Sequence, residues 1–304
     1  MSLTPEQTAE IAAARAETRP TLRATSPGME AQLYVAHPVL DHGIVRVVDY
    51  MGDDAAITQA ARVSYGRGTK AVQNDEGLIR YLMRHWHSSP FEMCEVKLHV
   101  KLPVFVARQW IRHRTANVNE YSARYSILDR EFYIPAPEHL AAQSKVNNQG
   151  RGAALEGAEA ARVLDILRDD AMRSYDHYEA MLSQEGQQGL ARELARMNLP
   201  ANIYTQWYWK VDLHNLFHFL RLRADPHAQY EIRAYADVIA TLVRDWVPIA
   251  YAAFADYRMG AVTISAKGVD LLRRRLAGAE VTQENSGMSK GEWREFAEIW
   301  GDGA

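Results

Sequence analysis

Residues 95–102, EVKLHVKL, alternate strictly between polar and apolar side chains. Successive side chains of an extended strand point to opposite faces, so Val96, Leu98, Val100 and Leu102 share one of them. Any fold of this chain must supply a sheet that buries that face. Pro103 follows at once and suits the first turn of a helix reaching about Arg112. GIVRVVDY (43–50) has the β-branched density of another strand, and NIYTQWYWKVD (202–212) has strand composition.

Helical spacing fills the intervals. Asp53 and Asp54 open a short helix over AAITQAARVSY. Leu78, Leu82 and Met83 mark another, stopped by Ser88-Ser89-Pro90. AAQSKVNNQGRGAALEG (141–157) reads as a loop. From Ala160 the residues Leu164, Leu167, Ala171, Tyr175, Tyr178 and Leu182 recur every three or four positions, which predicts a long amphipathic helix. LHNLFHFLRLR (213–223) reads as a helix, and the next one carries Ile232, Tyr235, Ile239, Leu242 and Trp246 on one stripe. Ser289 and Glu292 make a capping box before Trp293, Phe296 and Trp300. The class is α+β.

Composition narrows what the chain can do. At 47% hydrophobic residues, 304 positions can bury a sizeable core. A formal charge of −3 gives no global field toward nucleic acid or anionic membrane, so any basic site must be local. Cys94 is the one cysteine, which excludes an intramolecular disulfide and favours a reducing compartment. The first residues lack the apolar run of a secretory signal, and Glu6, Glu10 and Glu17 argue against a transit peptide. No stretch approaches the ~18 apolar residues of a membrane span. A soluble, cytoplasmic protein is expected.

The local basic site is RQWIRHRTANVNEYSARYS, residues 108–126. If the helix continues to Arg112, then Arg108 and Arg112 (i,i+4) share a face, and Gln109 pairs with Arg112 (i,i+3). His113 and Arg114 follow at the helix end, and a polar loop leaves from that cluster. Guanidinium forks suit phosphate, and Ser, Asn and loop amides complete an anion cradle. A phosphorylated small ligand is one reading; a charged helix face paired with acids elsewhere is the other.

Three further groups are candidates for chemistry. His214 and His218 are i,i+4 with His227 beyond the turn, which is metal-ligand spacing, but the glutamate of an HExxH helix is missing. Partly buried, hydrogen-bonded histidines fit the same pattern. Cys94 has no basic neighbour to lower its pKa and reads as a structural thiol. Ser122 has neither a nucleophile elbow nor a flanking base.

RHRTANVNEYSAR (112–124) resembles the signature of the flavin-dependent thymidylate synthases, RHRxxSxNxxSxR. Arg112, His113, Arg114, Asn119, Ser122 and Arg124 match it, and Asn117 replaces the first serine. HSSPFE (87–92) resembles the family's H-x-[ST]-P-F-E segment, YSILDREFYIPAP (125–137) its continuation, and LRADPHAQYEI (222–232) its C-terminal motif. The likeness spans roughly residues 43–257.

The resemblance implies a twisted central β-sheet flanked by helices, and a homotetramer with shared active sites. It implies a catalytic domain over 41–258, between an N-terminal extension (1–40) and a C-terminal one (259–304) with a terminal helix. The implied reaction converts dUMP to dTMP, with methylenetetrahydrofolate as carbon donor, FAD as hydride carrier and NADPH as reductant. No enzyme cysteine is implied as nucleophile, because the cofactor supplies the hard chemistry.

Carried over by position, Arg223 is the residue that polarises uracil. Gln109, Arg112, Arg124, Arg196 and Arg223 match nucleotide contacts, with the loop Glu120, Tyr121, Ser122, Ala123 and Arg124 as cradle. Ser64, Ser89, Arg112, His113, Arg114 and Glu120 match flavin contacts, and His87 a position near the folate. Where the family reads N-x-R-x-x-x-N at the flavin, Asp212, His214 and His218 stand here. Histidine can still donate, whereas an ionised Asp212 only accepts. Two other readings remain open: a flavin- or nucleotide-binding protein without catalysis, and a metalloenzyme using His214, His218 and His227.

Overall fold

A computed structural model describes residues 4–64, 75–144, 150–182 and 186–299. By packing, the chain divides into Met1–Phe254 and Ala255–Ala304.

The first unit opens with α1 (Pro5–Ala16) and α2 (Pro27–Gln32), each begun by a proline. Strands β1 (Ala36–Val39) and β2 (Gly43–Met51) come next, and then α3 (Asp54–Val63), capped by the Asp53 carboxylate on the Ala56 amide. Two further helices, α4 (Asp75–Arg84) and α5 (Ser89–Glu92), lead to β3 (Glu95–Pro103). Beyond it lie α6 (Val104–Trp110), β4 (Asn117–Glu120), β5 (Ala141–Gln143) and β6 (Arg151–Ala154). The long α7 (Gly157–Met181) and short α8 (Arg192–Ala195) precede β7 (Tyr204–Asp212). Three helices close the unit: α9 (Leu213–Arg223), α10 (Tyr230–Trp246) and α11 (Pro248–Phe254).

An antiparallel sheet runs in the order β1-β2-β3-β7-β4. Its register carries the alternation across strands: Leu98 sits between Val47 and Trp209, and Val100 between Val45 and Trp207. All six are buried. They form the face that α6, α9 and α10 cover, with Trp110 at its centre, stacked on Phe219 at 4.6 Å and edge-on to Trp209 at 5.2 Å. The predicted α10 stripe, Ile232 to Trp246, is buried along its whole length. Gly43 is required where that helix meets the sheet. A Cβ there would lie 2.7 Å from the Val39 carbonyl and collide with the Tyr235 hydroxyl, which donates to the Lys101 carbonyl at 2.8 Å.

Three expectations are corrected. The 141–157 segment is not a plain loop: β5 and β6 pair antiparallel, and Arg151 anchors them to the buried Glu231. Asn117–Glu120, expected within a loop, forms the sheet's edge strand, with Asn119 opposite Tyr208. Finally, α6 stops at Trp110, where the Ile111 amide bonds to the Ala107 carbonyl. Arg112 therefore lies beyond the helix and does not share a helical face with Arg108. The first two depend on a partner far away in sequence, Glu231 for the hairpin and β7 for β4, which local periodicity does not report.

The second unit contains α12 (Ala266–Leu276), α13 (Gln283–Ser286) and α14 (Lys290–Glu298) around Leu271, Met288 and Phe296. The Ser289–Glu292 capping box forms as expected. The apolar face of α14 packs within this unit, and Trp300 lies outside the described residues. Among the described residues no helix is long and apolar enough to cross a membrane.

Candidate active site

At the junction of β7 and α9, Asp212 accepts from the Asn215 amide at 2.9 Å and from the Asn215 side chain at 2.7 Å. This cap fixes the start of the helix that carries His214, His218 and, at its last position, Arg223. The turn leaving α6 brings Arg112, His113 and Arg114 against the same helix. Between them lies a cavity of about 330 Å³, lined chiefly by Arg112, Arg114, Asn215, His218 and Arg223. No carboxylate lines it.

Its electrostatics are one-sided. Among the described residues Arg112 and Arg114 have no hydrogen-bond or ion-pair partner, whereas Arg124 of the same stretch pairs with an acid, Glu193. Arg223 donates through Nε to His113 Nε2 at 3.0 Å. Burial, with the nearby Arg223 and His218 charges, pushes the His113 pKa down to about 4. The ring is therefore neutral at neutral pH, and an accepting Nε2 puts its proton on Nδ1. Burial also lowers the pKa of Arg223. Three guanidiniums facing one cavity without a counter-charge make an anion site.

The middle of the signature opens elsewhere. Glu120 and Tyr121 line a second cavity of about 450 Å³ over the polar face of the sheet, which shares no lining residue with the first. Thr205 donates to Glu120 at 2.9 Å. His99 lies between the Arg46 guanidinium (3.1 Å) and Gln206 Oε1 (2.9 Å), beside Tyr208. Sequence reasoning missed this trio, although it occupies the polar positions of the same alternating strands.

The remaining predicted residues scatter. Gln109 has a buried Oε1 with no partner among the described residues. Ala123 is buried in a cluster with Phe132 and Tyr175, and Ser122 accepts from the Arg124 amide at 3.3 Å. Arg124 pairs with Glu193 at 3.1 Å, whereas Arg196 is exposed and unpaired among the described residues. Ser64 caps the end of α3 just before residues outside the description, and Ser89 begins α5, both exposed. Exposed His87 lies 5.9 Å from the Tyr81 ring, placed there by Trp86 in the left-handed region (φ 62°).

The other chemistries recede. Cys94 is buried, and burial with the Asp53 and Asp54 charges pushes its thiol up to about 12. His227 points to solvent, bonded to Asp225 at 2.9 Å. Among the described residues no group of three histidines, cysteines or carboxylates is placed to hold a metal.

Residues 46–249 match the family model described as thymidylate synthase complementing protein. The flavin-dependent thymidylate synthase of Ruegeria pomeroyi is 79% identical over 301 residues, covering 99% of this chain and all of that one. That of Gluconobacter oxydans is 65% identical over the full length of both. The chain belongs to the flavin-dependent thymidylate synthases. It is therefore a methyltransferase by family, and its fold agrees. The crystal structure of the UMP/dUMP methylase PolB from Streptomyces cacaoi bound with 5-Br dUMP superposes with TM-score 0.64 at 30% identity, covering 72% of this chain and 97% of that one. The same methylase with 5-Br UMP gives 0.66 at 31%, covering 74% and 99%.

Within this family frame, Asp212 has both carboxylate oxygens committed to its helix cap. Asp212→Ala should cost about 1 kcal/mol of stability, while Asp212→Asn, still a capping residue, should be near neutral. Both should bind flavin as the wild type does, read by thermal melts and FAD titration. Altered FAD binding in Asp212→Asn, in either direction, would return the residue to the flavin site.

Proposed function

We propose that this chain methylates dUMP to dTMP. The observation that carries the reading is the cavity where Arg112, Arg114 and Arg223 meet without a carboxylate. Such a donor set fits the phosphates of FAD and the anionic uracil of the nucleotide. When bound, FAD reduced by NADPH supplies hydride, and methylenetetrahydrofolate supplies the carbon.

The chain's own residues bind and orient. Arg112 and Arg114 hold phosphate charge, with Ser64, Ser89, Glu120, His214 and His218 as further flavin contacts and Asp212 as the helix cap among them. Arg223 stabilises negative charge on the pyrimidine as its N3 proton leaves. Gln109, whose buried Oε1 has no partner among the described residues, is a further nucleotide contact. The loop from Glu120 through Tyr121, Ser122, Ala123 and Arg124, with Arg196, cradles the phosphate, and His87 lies toward the folate. That residues 112–115 and 119–121 line separate cavities supports a homotetramer in which one copy's Glu120–Arg124 loop completes another's arginine cavity. A cytoplasmic location accords with the single, buried cysteine.

A visible absorbance spectrum of the purified protein, with and without FAD and dUMP, tests this first. Flavin bands that co-elute with the protein and shift on adding dUMP are expected. Formation of dTMP should then require dUMP, methylenetetrahydrofolate and NADPH together. Flavin and dUMP binding without dTMP would leave a binding protein that lacks catalysis.

A further inference from the structure

The single hydrogen bond of Arg223 says how that arginine is aimed. Among the described residues its one partner is His113, through Nε. The imidazole is itself held from behind. Its backbone amide donates to the Trp110 carbonyl at 3.0 Å, and its ring meets Phe219 edge-on at 5.0 Å. Trp110 and Phe219 are both fully buried and stacked on each other. A rigid aromatic core thus supports His113, and His113 supports Arg223.

We propose that His113 is a positioning residue, whose Nε2 accepts the Arg223 Nε–H and so presents the guanidinium end-on, by its two terminal nitrogens, to the bound pyrimidine. This rests on the proposed reaction and changes what the resemblance implies, since that assigns His113 to the flavin. A guanidinium has two usable edges, one formed by Nε with a terminal nitrogen and one by both terminal nitrogens. His113 occupies the first and leaves the second for a planar, charge-delocalised acceptor. The neutral ring is essential, because an imidazolium would face a donor with a donor. The low pKa that burial and the Arg223 charge impose on His113 agrees with this role.

The test uses His113→Phe, which keeps a ring against Phe219 but removes the acceptor, and His113→Gln, whose Oε1 can accept again. His113→Leu replaces the first if it fails to fold. Each holoenzyme is assayed for dTMP formation and FAD occupancy, and its crystal structure is compared with that of the wild type. Expected for His113→Phe are a fall in kcat of about 100-fold, unchanged FAD occupancy, and a displaced Arg223 guanidinium. His113→Gln should restore the guanidinium position and bring kcat back to within about tenfold of wild type. Arg223 staying in place in His113→Phe would overturn the proposal, as would wild-type turnover or a loss confined to FAD binding. Wild-type protein that makes no dTMP would instead sink the proposed reaction, and the position of Arg223 in the variants would still decide the role of His113.

Discussion

Arg223→Ala is expected to lower dTMP formation by about 10²–10³-fold while FAD stays bound. The size follows from the cavity. Arg223 is partly buried, has one neutral partner and faces no carboxylate, so its charge is free to act on a ligand. A fixed cation in a partly dehydrated site acts more strongly than it would in water and needs no reorganisation when charge develops. Arg112 and Arg114 remain in the variant and keep the phosphate charge satisfied, so flavin should be spared. Arg223→Lys should recover little, because lysine keeps the charge but loses both the Nε bond to His113 and the two-nitrogen fork. Steady-state dTMP assays beside visible spectra separate these effects. Near-normal turnover in Arg223→Ala would remove the assigned role.

The second large effect is on stability. Arg151→Ala should destabilise the first unit by about 3 kcal/mol, a fall in Tm of about 6–12 °C for a unit of this size. Glu231 is 2% exposed and receives both contacts of Arg151 Nη2 at 2.6 Å, the Tyr133 hydroxyl at 2.9 Å and the Gln229 amide at 2.9 Å. Removing Arg151 strands a buried carboxylate and frees the β5–β6 hairpin, which Arg151 also ties to the His139 carbonyl at 3.0 Å.

The pH dependence has a definite sign. Burial alone would raise the Glu231 pKa, but the hydrogen bonds from Arg151 and Gln229 outweigh it and hold the carboxyl below its ordinary value. A depressed carboxyl pKa contributes stability above the unfolded-state value of about 4.3. That contribution is lost as pH falls through the lower folded value. In Arg151→Ala burial dominates, the shift reverses, and acid should narrow the gap to wild type. Thermal melts by circular dichroism at pH 7 and at about pH 4 check this, with Glu231→Gln as the variant that cannot titrate. A gap independent of pH would mean that Glu231 is already protonated in the folded wild type.

Much of the fold was legible because periodicity reports burial directly. The alternation at 95–102 became β3 with its four apolar residues buried, 213–223 became α9, and the stripe from Ile232 to Trp246 became the core face of α10. The signature at 112–124 was legible as well, as a string of residue types. β4 and the β5–β6 hairpin were not. The β4 residues are exposed on both faces, as are nearly all of those in β5 and β6, so no apolar rhythm marks them, and each is held by partners elsewhere in the chain.

By itself, then, the sequence determined the α+β class, the main core elements and the family, since these follow from local patterning and from a short run of specific residues. Tertiary packing alone sets Arg223 on His113, 110 positions away, ties Glu231 to Arg151 across 80, and sends residues 112–115 and 119–121 of the signature to different cavities. Periodicity encodes which side of an element is buried. It holds no record of which distant side chain closes a hydrogen bond there, because that is set by how the packed elements meet.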